Sequence, residues 1–364
     1  MKLKRIIIAG GGTGGHIFPA IAVANALKKI DANIEILFIG AKGKMEMEKI
    51  PQAGFEIIGI DIAGFNRSHL WKNWNLPYKL VKSFFQVKNI FKTFTPDAVF
   101  GVGGYSSFPV LRYAQKLGIS TFLHEANSYA GKANKMLGKH ATAVLVATDD
   151  MEKFFPANKI IKTGNPVRAE ILDDTLNLDN AYEYFGLTKE KPILLVIGGS
   201  LGAKSINQAM AEGLGTLLDM NVQVIWQTGK GNFQSVDENL RKRKDACITE
   251  FIGKMNYAYA IADLVVSRAG AIALAEICAT GKPSILVPYP HAAEDHQTAN
   301  AMNLVKNDAA VLLKDENVKK QLMGMIDLLM LNKERRLSIG VAASHLFVKN
   351  ADQLIANEII KRTA

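Results

Sequence analysis

The sequence predicts an α/β protein of two doubly wound, parallel-sheet domains. Three observations carry this. Short apolar runs alternate with amphipathic stretches, the alternation breaks near residue 165 and restarts, and three of the runs end in glycine-rich turns. Continuous apolar strands joined by helical crossovers are the mark of parallel sheets covered by helices on both faces. At about 150 residues per domain, 364 residues agree with two domains.

In order, residues 6–9, 34–39, 98–102, 121–123 and 143–146 read as buried strands, with a helix at 19–29 between the first two. Gly164-Asn165-Pro166 reads as a linker. The second series has strands at 193–197, 222–226, 247–251, 264–266 and 284–287. The domains are thus 1–165 and 166–344, and the final segment 345–364, with a helix at about 350–361, is expected to pack back on the first domain.

The chain is 48% apolar and 21% charged, an ordinary globular composition that excludes a disordered or fibrous chain. Cys247 and Cys278 are its only cysteines, too few for a disulfide framework or a four-cysteine zinc site, which points to a reducing cytoplasm. The basic start Met1-Lys2-Leu3-Lys4-Arg5 precedes an apolar run too short for a signal peptide, and no stretch approaches the roughly 20 apolar residues of a membrane span. Lys plus Arg exceed Asp plus Glu by 44 − 34 = 10, a balance suited to an anionic partner.

That excess is concentrated. Between Asp61 and Asp97 there is no acidic residue, while Arg67, Lys72, Lys79, Lys82, Lys88 and Lys92 lie there beside Phe65, Trp71, Trp74 and Tyr78. From Pro77 onward Leu80, Val81, Phe84, Val87, Phe91 and Phe94 recur at helical spacing. The stripe alone reads as a crossover helix packed on a sheet. The aromatic, basic segment 65–80, with Trp71, Lys72, Trp74 and Tyr78, reads as a contact with an anionic bilayer. Aromatics clustered with aliphatics suit lipid better than base stacking, so nucleic acid is not the expected partner. Arg241-Lys242-Arg243-Lys244 reads as a solvated helix end or loop.

The glycine turns are Gly10-Gly11-Gly12-Thr13-Gly14-Gly15-His16, Gly101-Val102-Gly103-Gly104-Tyr105-Ser106-Ser107 and Gly198-Gly199-Ser200-Leu201-Gly202-Ala203. Such turns bring backbone N–H groups and a helix N-terminus to a phosphate at the carboxyl edge of a sheet. The first also fits G-x-G-x-x-G, but the second strand ends in Gly40-Ala41-Lys42-Gly43-Lys44, without the acid that would hold an NAD ribose. Loops in both domains instead point to two ligands meeting in a cleft. There is no P-loop, H-E-x-x-H, G-x-S-x-G or D-x-D, and His291 with His296 fits no common metal spacing. A departing diphosphate would then be stabilised by helix N-termini and a cationic side chain, with no metal.

Taken together, these segments resemble the MurG family of UDP-N-acetylglucosamine transferases. The likeness runs over nearly the whole chain. It includes the first loop through His16, Gly103-Gly104-Tyr105 with Ser107 and Pro109, and His124-Glu125-Ala126-Asn127 followed by Ala130-Gly131 and Asn134-Lys135. It continues through Gly164-Asn165-Pro166-Val167-Arg168, the third glycine loop, Ser267-Arg268-Ala269-Gly270-Ala271 through Glu276, Pro288-Tyr289-Pro290 and Asp295-His296-Gln297.

The resemblance implies a GT-B fold: two Rossmann-like domains facing each other across a cleft. The implied reaction inverts the anomeric carbon as GlcNAc moves from UDP-GlcNAc to the C4 hydroxyl of MurNAc in lipid I. The products are lipid II and UDP, and no tightly bound metal is expected. The acceptor's polyprenyl tail places the enzyme at the cytoplasmic face of an anionic inner membrane, beside other cell-wall synthesis proteins.

It also implies residue roles. Ser200 and the backbone at Gly199 bind diphosphate, Arg168 meets developing phosphate charge, and Ile252 meets uracil through its backbone. Ala271, Ile272, Ala273, Leu274 and Ala275 open a helix toward the phosphates, and Glu276 accepts the ribose hydroxyls. Gln297 and Asn127 bind the GlcNAc hydroxyls, while Thr13, Gly14 and Gly15 line the donor sugar and acceptor diphosphate. Gly103, Gly104 and Tyr105 face the acceptor. The candidate bases are His16, then His124 and Glu125, with Asn127 beside them, His16 being equally readable as a helix cap and Tyr105 as a packing residue.

Ala126, Leu201 and Ala273 depart from the family's Gln, Gln and Thr, and Thr298 replaces a second Gln after Gln297; the phosphate contacts then fall to backbone N–H groups. The rival readings are another GT-B lipid glycosyltransferase (diacylglycerol or polyprenyl acceptor), a UDP-GlcNAc 2-epimerase, an NAD(P) oxidoreductase, and a non-enzymatic binder of nucleotide sugars.

Overall fold

The computed structural model describes residues 3–64, 71, 74–173 and 175–363. The chain divides into two units: Met1–Arg168 with Val348–Ala364, and Ala169–Phe347.

The first unit holds β1 (Arg5–Ala9), β2 (Glu35–Ala41), β3 (Glu56–Ile60), β4 (Ala98–Gly101), β5 (Ser120–Glu125), β6 (Ala143–Val146) and β7 (Ile160–Lys162). They form one sheet in the order β3-β2-β1-β4-β5-β6-β7, every neighbouring pair parallel. Its helices are α1 (Gly14–Ile30), α2 (Glu46–Gln52), α3 (Leu76–Phe94), α4 (Ser107–Lys116) and α5 (Lys132–Gly138). Successive strand residues point to opposite faces. Ile6 and Ile8 therefore join Ile17, Val23 and Leu27 in one core layer, while Ile7 and Ala9 join Val87, Phe91 and Val110 in the other. That two-sided burial is why β1 is apolar at every position from Ile6 to Ala9.

The second unit holds β8 (Ile193–Ile197), β9 (Gln223–Gln227), β10 (Ala246–Thr249), β11 (Leu264–Ser267), β12 (Ser284–Leu286) and β13 (Val311–Leu312), in the order β10-β9-β8-β11-β12-β13, again all parallel. Its helices are α6 (Leu178–Phe185), α7 (Lys204–Asp219), α8 (Glu238–Arg241), α9 (Met255–Ile261), α10 (Ala271–Ala279), α11 (His296–Val305), α12 (Val318–Leu331) and α13 (Lys333–His345). The last helix, α14 (Ala351–Arg362), belongs to the first unit, where Ile355, Ala356 and Ile359 are buried in the layer that holds Val23, Ala24 and Leu27 of α1.

In each sheet the strand order reverses once, between β1 and β4 and between β8 and β11. Loops leaving adjacent strands at such a point diverge to opposite faces and leave room for a ligand. All three glycine turns fall there, after β1, β4 and β8.

Two features differ from the sequence reading. The first helix begins at Gly14, so Pro19 lies inside it rather than at its start; the helix tolerates the N–H that Pro19 lacks at the bond to Gly15. Strands β3, β7 and β13 are additional, and each is an edge strand.

Candidate active site

In the first unit the turns after β1 and β4 interlock. Gly11 has φ +147°, and a Cβ there would lie 2.5 Å from the carboxyl carbon of Glu46; a Cβ on Gly104, at φ +81°, would lie 2.7 Å from the Gly11 oxygen. Only glycine permits both the backbone angle and the approach. Thr13, exposed, precedes α1, and Gly14 and Gly15 form its first turn, so their N–H groups lie at the positive end of a 17-residue helix.

His16 follows in the same turn. Its Nδ1 lies 3.1 Å from the Gly11 oxygen and 3.4 Å from Thr13 Oγ1. A carbonyl only accepts, so Nδ1 carries the proton and the lone pair resides on Nε2. Nε2 borders Gly103, where a Cβ would come within 3.0 Å of it. Tyr105 is half-buried beside this loop. Burial, then the Glu46 charge, pushes its phenol above the usual tyrosine range, keeping it a hydrogen-bond donor.

His124 and Glu125 end β5 and are buried, 1% and 3% exposed. Nε2 of His124 donates to the Gly164 oxygen at 3.1 Å, and Asn165 Nδ2 donates to the Ala126 oxygen at 3.0 Å. The linker motif is thus strapped to the end of β5. Burial holds the His124 pKa down at about 4. Glu125 accepts four hydrogen bonds: Asn127 N (3.1 Å) and Nδ2 (3.2 Å) on Oε1, Gly131 N (3.2 Å) and Asn134 Nδ2 (2.9 Å) on Oε2. Four bonds fill the lone-pair sites of a carboxylate. Burial raises its pKa, against the pull of those donors. The geometry gives His124 and Glu125 the work of shaping the 125–134 loop that carries Asn127. His16 alone of the three candidate bases is part-exposed.

In the second unit Gly199 and Ser200 are exposed at the turn between β8 and α7, and Leu201 is 77% exposed. The buried Gln227 ties this turn to the next loop: Nε2 donates to the Gly199 oxygen at 3.1 Å, and Oε1 accepts from Ile252 N at 3.0 Å. The Ile252 N–H is thereby engaged within the unit. Gly270 precedes α10, so Ala271, Ile272 and Ala273 present first-turn N–H groups; Leu274 N bonds back to the Gly270 oxygen, and Ala275 lies before Glu276. Glu276 is 5% exposed, not a solvated surface carboxylate. Gln297 Oε1 accepts from Tyr289 N at 2.9 Å, which fixes its amide so that Nε2 is the donor end. Arg168 is half-buried and is the last residue of the first unit's long segment.

Three contributors escaped the sequence reading. Glu46, 1% exposed, turns back from α2 to accept from Gly12 N (2.8 Å) and Ala41 N (3.0 Å). The acid missing from the end of β2 is therefore present a few residues later, spent on the glycine turn. Arg268 bonds Asp315 (2.5 Å), Ser205 Oγ (3.1 Å) and the Val287 and Pro288 oxygens (3.2 and 3.1 Å), clamping the first turn of α7 and the segments after β11, β12 and β13. Gln227 is the third. The only signal for Arg268 was its place in the motif; Glu46 and Gln227 carried none.

Trp71, Trp74 and Tyr78 are 71%, 81% and 69% exposed, and Val81 and Phe85 continue the apolar surface along α3. Lys72 lies outside the described residues. The far half of the same helix buries Val87, Ile90 and Phe91. Asp61 receives Lys82 (3.0 Å) and Lys42 (3.2 Å), which hold its pKa at about 2. Among the described residues no helix is long and apolar enough to cross a membrane. Nor do three or more His, Cys, Asp or Glu side chains group there as metal ligands; His296 Nδ1 donates instead to the Ala293 oxygen at 2.7 Å. Burial pushes the Cys278 thiol up to about 12, so it is no thiolate nucleophile.

Comparison with known proteins bears on the family and the fold. Residues 6–146 match the glycosyltransferase family 28 N-terminal domain and residues 193–355 its C-terminal domain. Among curated relatives, the UDP-N-acetylglucosamine–N-acetylmuramyl-(pentapeptide) pyrophosphoryl-undecaprenol N-acetylglucosamine transferase of Bacteroides fragilis is 47% identical over 98% of this chain and 95% of its own. The transferase of the same name from Cytophaga hutchinsonii is 44% identical over 99% and 97%. The crystal structure of Acinetobacter baumannii MurG superposes with a TM-score of 0.78 at 29% identity, covering 98% of this chain and 99% of that one. A UDP-GlcNAc 2-epimerase from Neisseria meningitidis, 14% identical with a TM-score of 0.71 over 98% and 100%, shares the fold alone. The chain is a glycosyltransferase and belongs to glycosyltransferase family 28, within the MurG family.

Proposed function

We propose that this enzyme transfers GlcNAc from UDP-GlcNAc to the C4 hydroxyl of MurNAc in undecaprenyl-pyrophosphoryl-MurNAc-pentapeptide, lipid I, giving lipid II and UDP. The acceptor oxygen attacks C1 of GlcNAc from the face opposite the leaving UDP, the C1–O bond to phosphate breaks, and the anomeric configuration inverts. The single observation that carries the reading is the pairing of a basic nitrogen with a glycine turn in one unit and a helix N-terminus with a buried carboxylate in the other. His16 holds its lone pair on Nε2 beside the turns of the first unit. Glu276 lies on α10, whose first-turn N–H groups suit a diphosphate.

In this reading the first unit binds the acceptor through Gly103, Gly104 and Tyr105, with Thr13, Gly14 and Gly15 at the diphosphate. His16 takes the C4 hydroxyl proton as bond formation proceeds. The second unit binds the donor: Ser200 and α10 hold the diphosphate, Ile252 the uracil, Glu276 the ribose, and Gln297 the sugar. Arg168 and the helix N-termini take up the negative charge that grows on UDP, so the reaction requires no metal. The exposed aromatics before and along α3, among lysines, set the enzyme peripherally on the cytoplasmic face of an anionic inner membrane, where the polyprenyl acceptor resides.

The test is a donor competition. Purified protein receives a short-chain lipid I analogue and, in separate arms, labelled UDP-GlcNAc, UDP-glucose or UDP-GalNAc, each with and without EDTA. Transfer from UDP-GlcNAc alone, undiminished by EDTA, is expected. Equal transfer from UDP-glucose, or loss of transfer in EDTA, contradicts the donor or the metal-free assignment.

A further inference from the structure

Glu46 takes no part in the chemistry above, yet it is one of the most deeply buried acidic side chains of the first unit. Its Oε2 accepts from Gly12 N at 2.8 Å and its Oε1 from Ala41 N at 3.0 Å. The Gly12 N–H belongs to the same peptide unit as the Gly11 carbonyl. That carbonyl accepts from Nδ1 of His16 at 3.1 Å. A single planar, resonance-coupled amide therefore stands between a carboxylate and an imidazole.

A negative charge on the N–H side of an amide draws density onto its oxygen, and bonds in such a chain strengthen one another. We propose that Glu46 is a positioning residue for His16, acting through the Gly11–Gly12 peptide. It holds the proton on Nδ1, fixes the ring, and keeps a more basic lone pair on Nε2. The arrangement is the one a carboxylate makes directly to histidine in hydrolase triads, here relayed by one peptide bond. The inference rests on His16 being the base.

Packing supports the relay. A Cβ on Gly40 would lie 2.5 Å from Glu46 Cγ, and one on Gly11 2.5 Å from its carboxyl carbon, so the side chain packs directly against both glycines. The other titratable groups around this site are His124 from β5 and Tyr105 from the second turn. Both are neutral near pH 7, since the one is held at about 4 and the other raised above its usual range. Lys42, on the turn before α2, is engaged by Asp61.

The experiment is a double-mutant cycle in the transfer assay with Glu46→Gln, His16→Gln and both. Glu46→Gln keeps the volume and one acceptor oxygen but loses the charge. It is expected to lower kcat about tenfold, part of the roughly 10²–10⁴ that a general base contributes, with the KM for UDP-GlcNAc within about twofold. In the His16→Gln background the same change should cost less than twofold further, because the group it acts on is gone. An equal loss of kcat in both backgrounds overturns the relay while leaving His16 as the base. A His16→Gln enzyme with the parent kcat overturns the base assignment itself. The unmutated protein supplies a measurement independent of variant folding: long-range ¹H–¹⁵N correlations should show His16 as the Nδ1–H tautomer, and the Nε2–H tautomer would refute the proposal.

Discussion

Glu276 and His124 show what burial does to single side chains here. Glu276 reaches only 5% exposure in α10. Glu276→Ala is expected to raise the KM for UDP-GlcNAc at least tenfold, since hydrogen bonds to a charged acceptor are worth about 1.5–3 kcal/mol each. The acceptor KM should stay within twofold; an equal rise in both would remove the ribose role. His124 makes a pH prediction. Its folded value of about 4 lies below the ordinary 6.5, so between those values the unfolded chain binds more protons. Stability is therefore complete above about pH 6.5 and falls as pH drops toward 4, by roughly 3 kcal/mol at about 1.4 kcal/mol per pH unit. Glu125, raised by burial, works in the opposite sense, so the informative quantity is the difference between parent and His124→Gln. Urea unfolding at pH 7 and pH 5 should show a shallower loss for the variant; identical slopes would contradict the assignment. Motif residues such as Glu276 and His16 stood out in the sequence as candidates because each sits in a local pattern. Glu46 could not, because its role exists only where β2, α2 and the first glycine turn meet.

At the scale of elements, the central strands were legible and the edges were not. Residues 6–9 and 193–197 are buried on both faces and read as unbroken apolar runs. β3 carries Glu56 and Gly59, β7 ends in Lys162, and β13 has two residues; each lies at a sheet edge, where one side needs no apolar cover. The crossover helix α3 combines both readings of its stripe. Val87, Ile90 and Phe91 pack inward, while Tyr78, Val81 and Phe85 face outward with Trp71 and Trp74 just before the helix. Replacing Trp71, Trp74 and Phe85 with Ser should weaken binding to vesicles rich in anionic lipid by about tenfold or more. Transfer to a short-chain acceptor in solution should persist. Vesicle binding equal to the parent's would remove the membrane role from this face.

At the scale of the whole molecule, the chain crosses into the second unit after Arg168 and returns at Val348. The return is structural: Ile355 and Ile359 are fully buried in the layer beneath α1, the helix that carries His16. Ile359→Ala is expected to cost about 2–5 kcal/mol, seen as faster hydrogen exchange of α1 and α14 amides with β8–β13 unaffected. Unchanged protection in α1 would mean that α14 is not part of that core. The final helix itself was legible, at about residues 350–361. The reach of Arg268 from the first turn of α7 to the segments after β12 and β13 was not, since its partners are scattered from Ser205 to Asp315.

An inverting transfer of GlcNAc to one hydroxyl of lipid I is tested by the structure of its product. The disaccharide formed from UDP-GlcNAc and a short-chain lipid I analogue would be isolated and its linkage and anomeric coupling read by NMR. A β-linked GlcNAc on C4 of MurNAc is expected, with one UDP released per bond formed. An α-linkage, attachment at another hydroxyl, or UDP release without a disaccharide would contradict it.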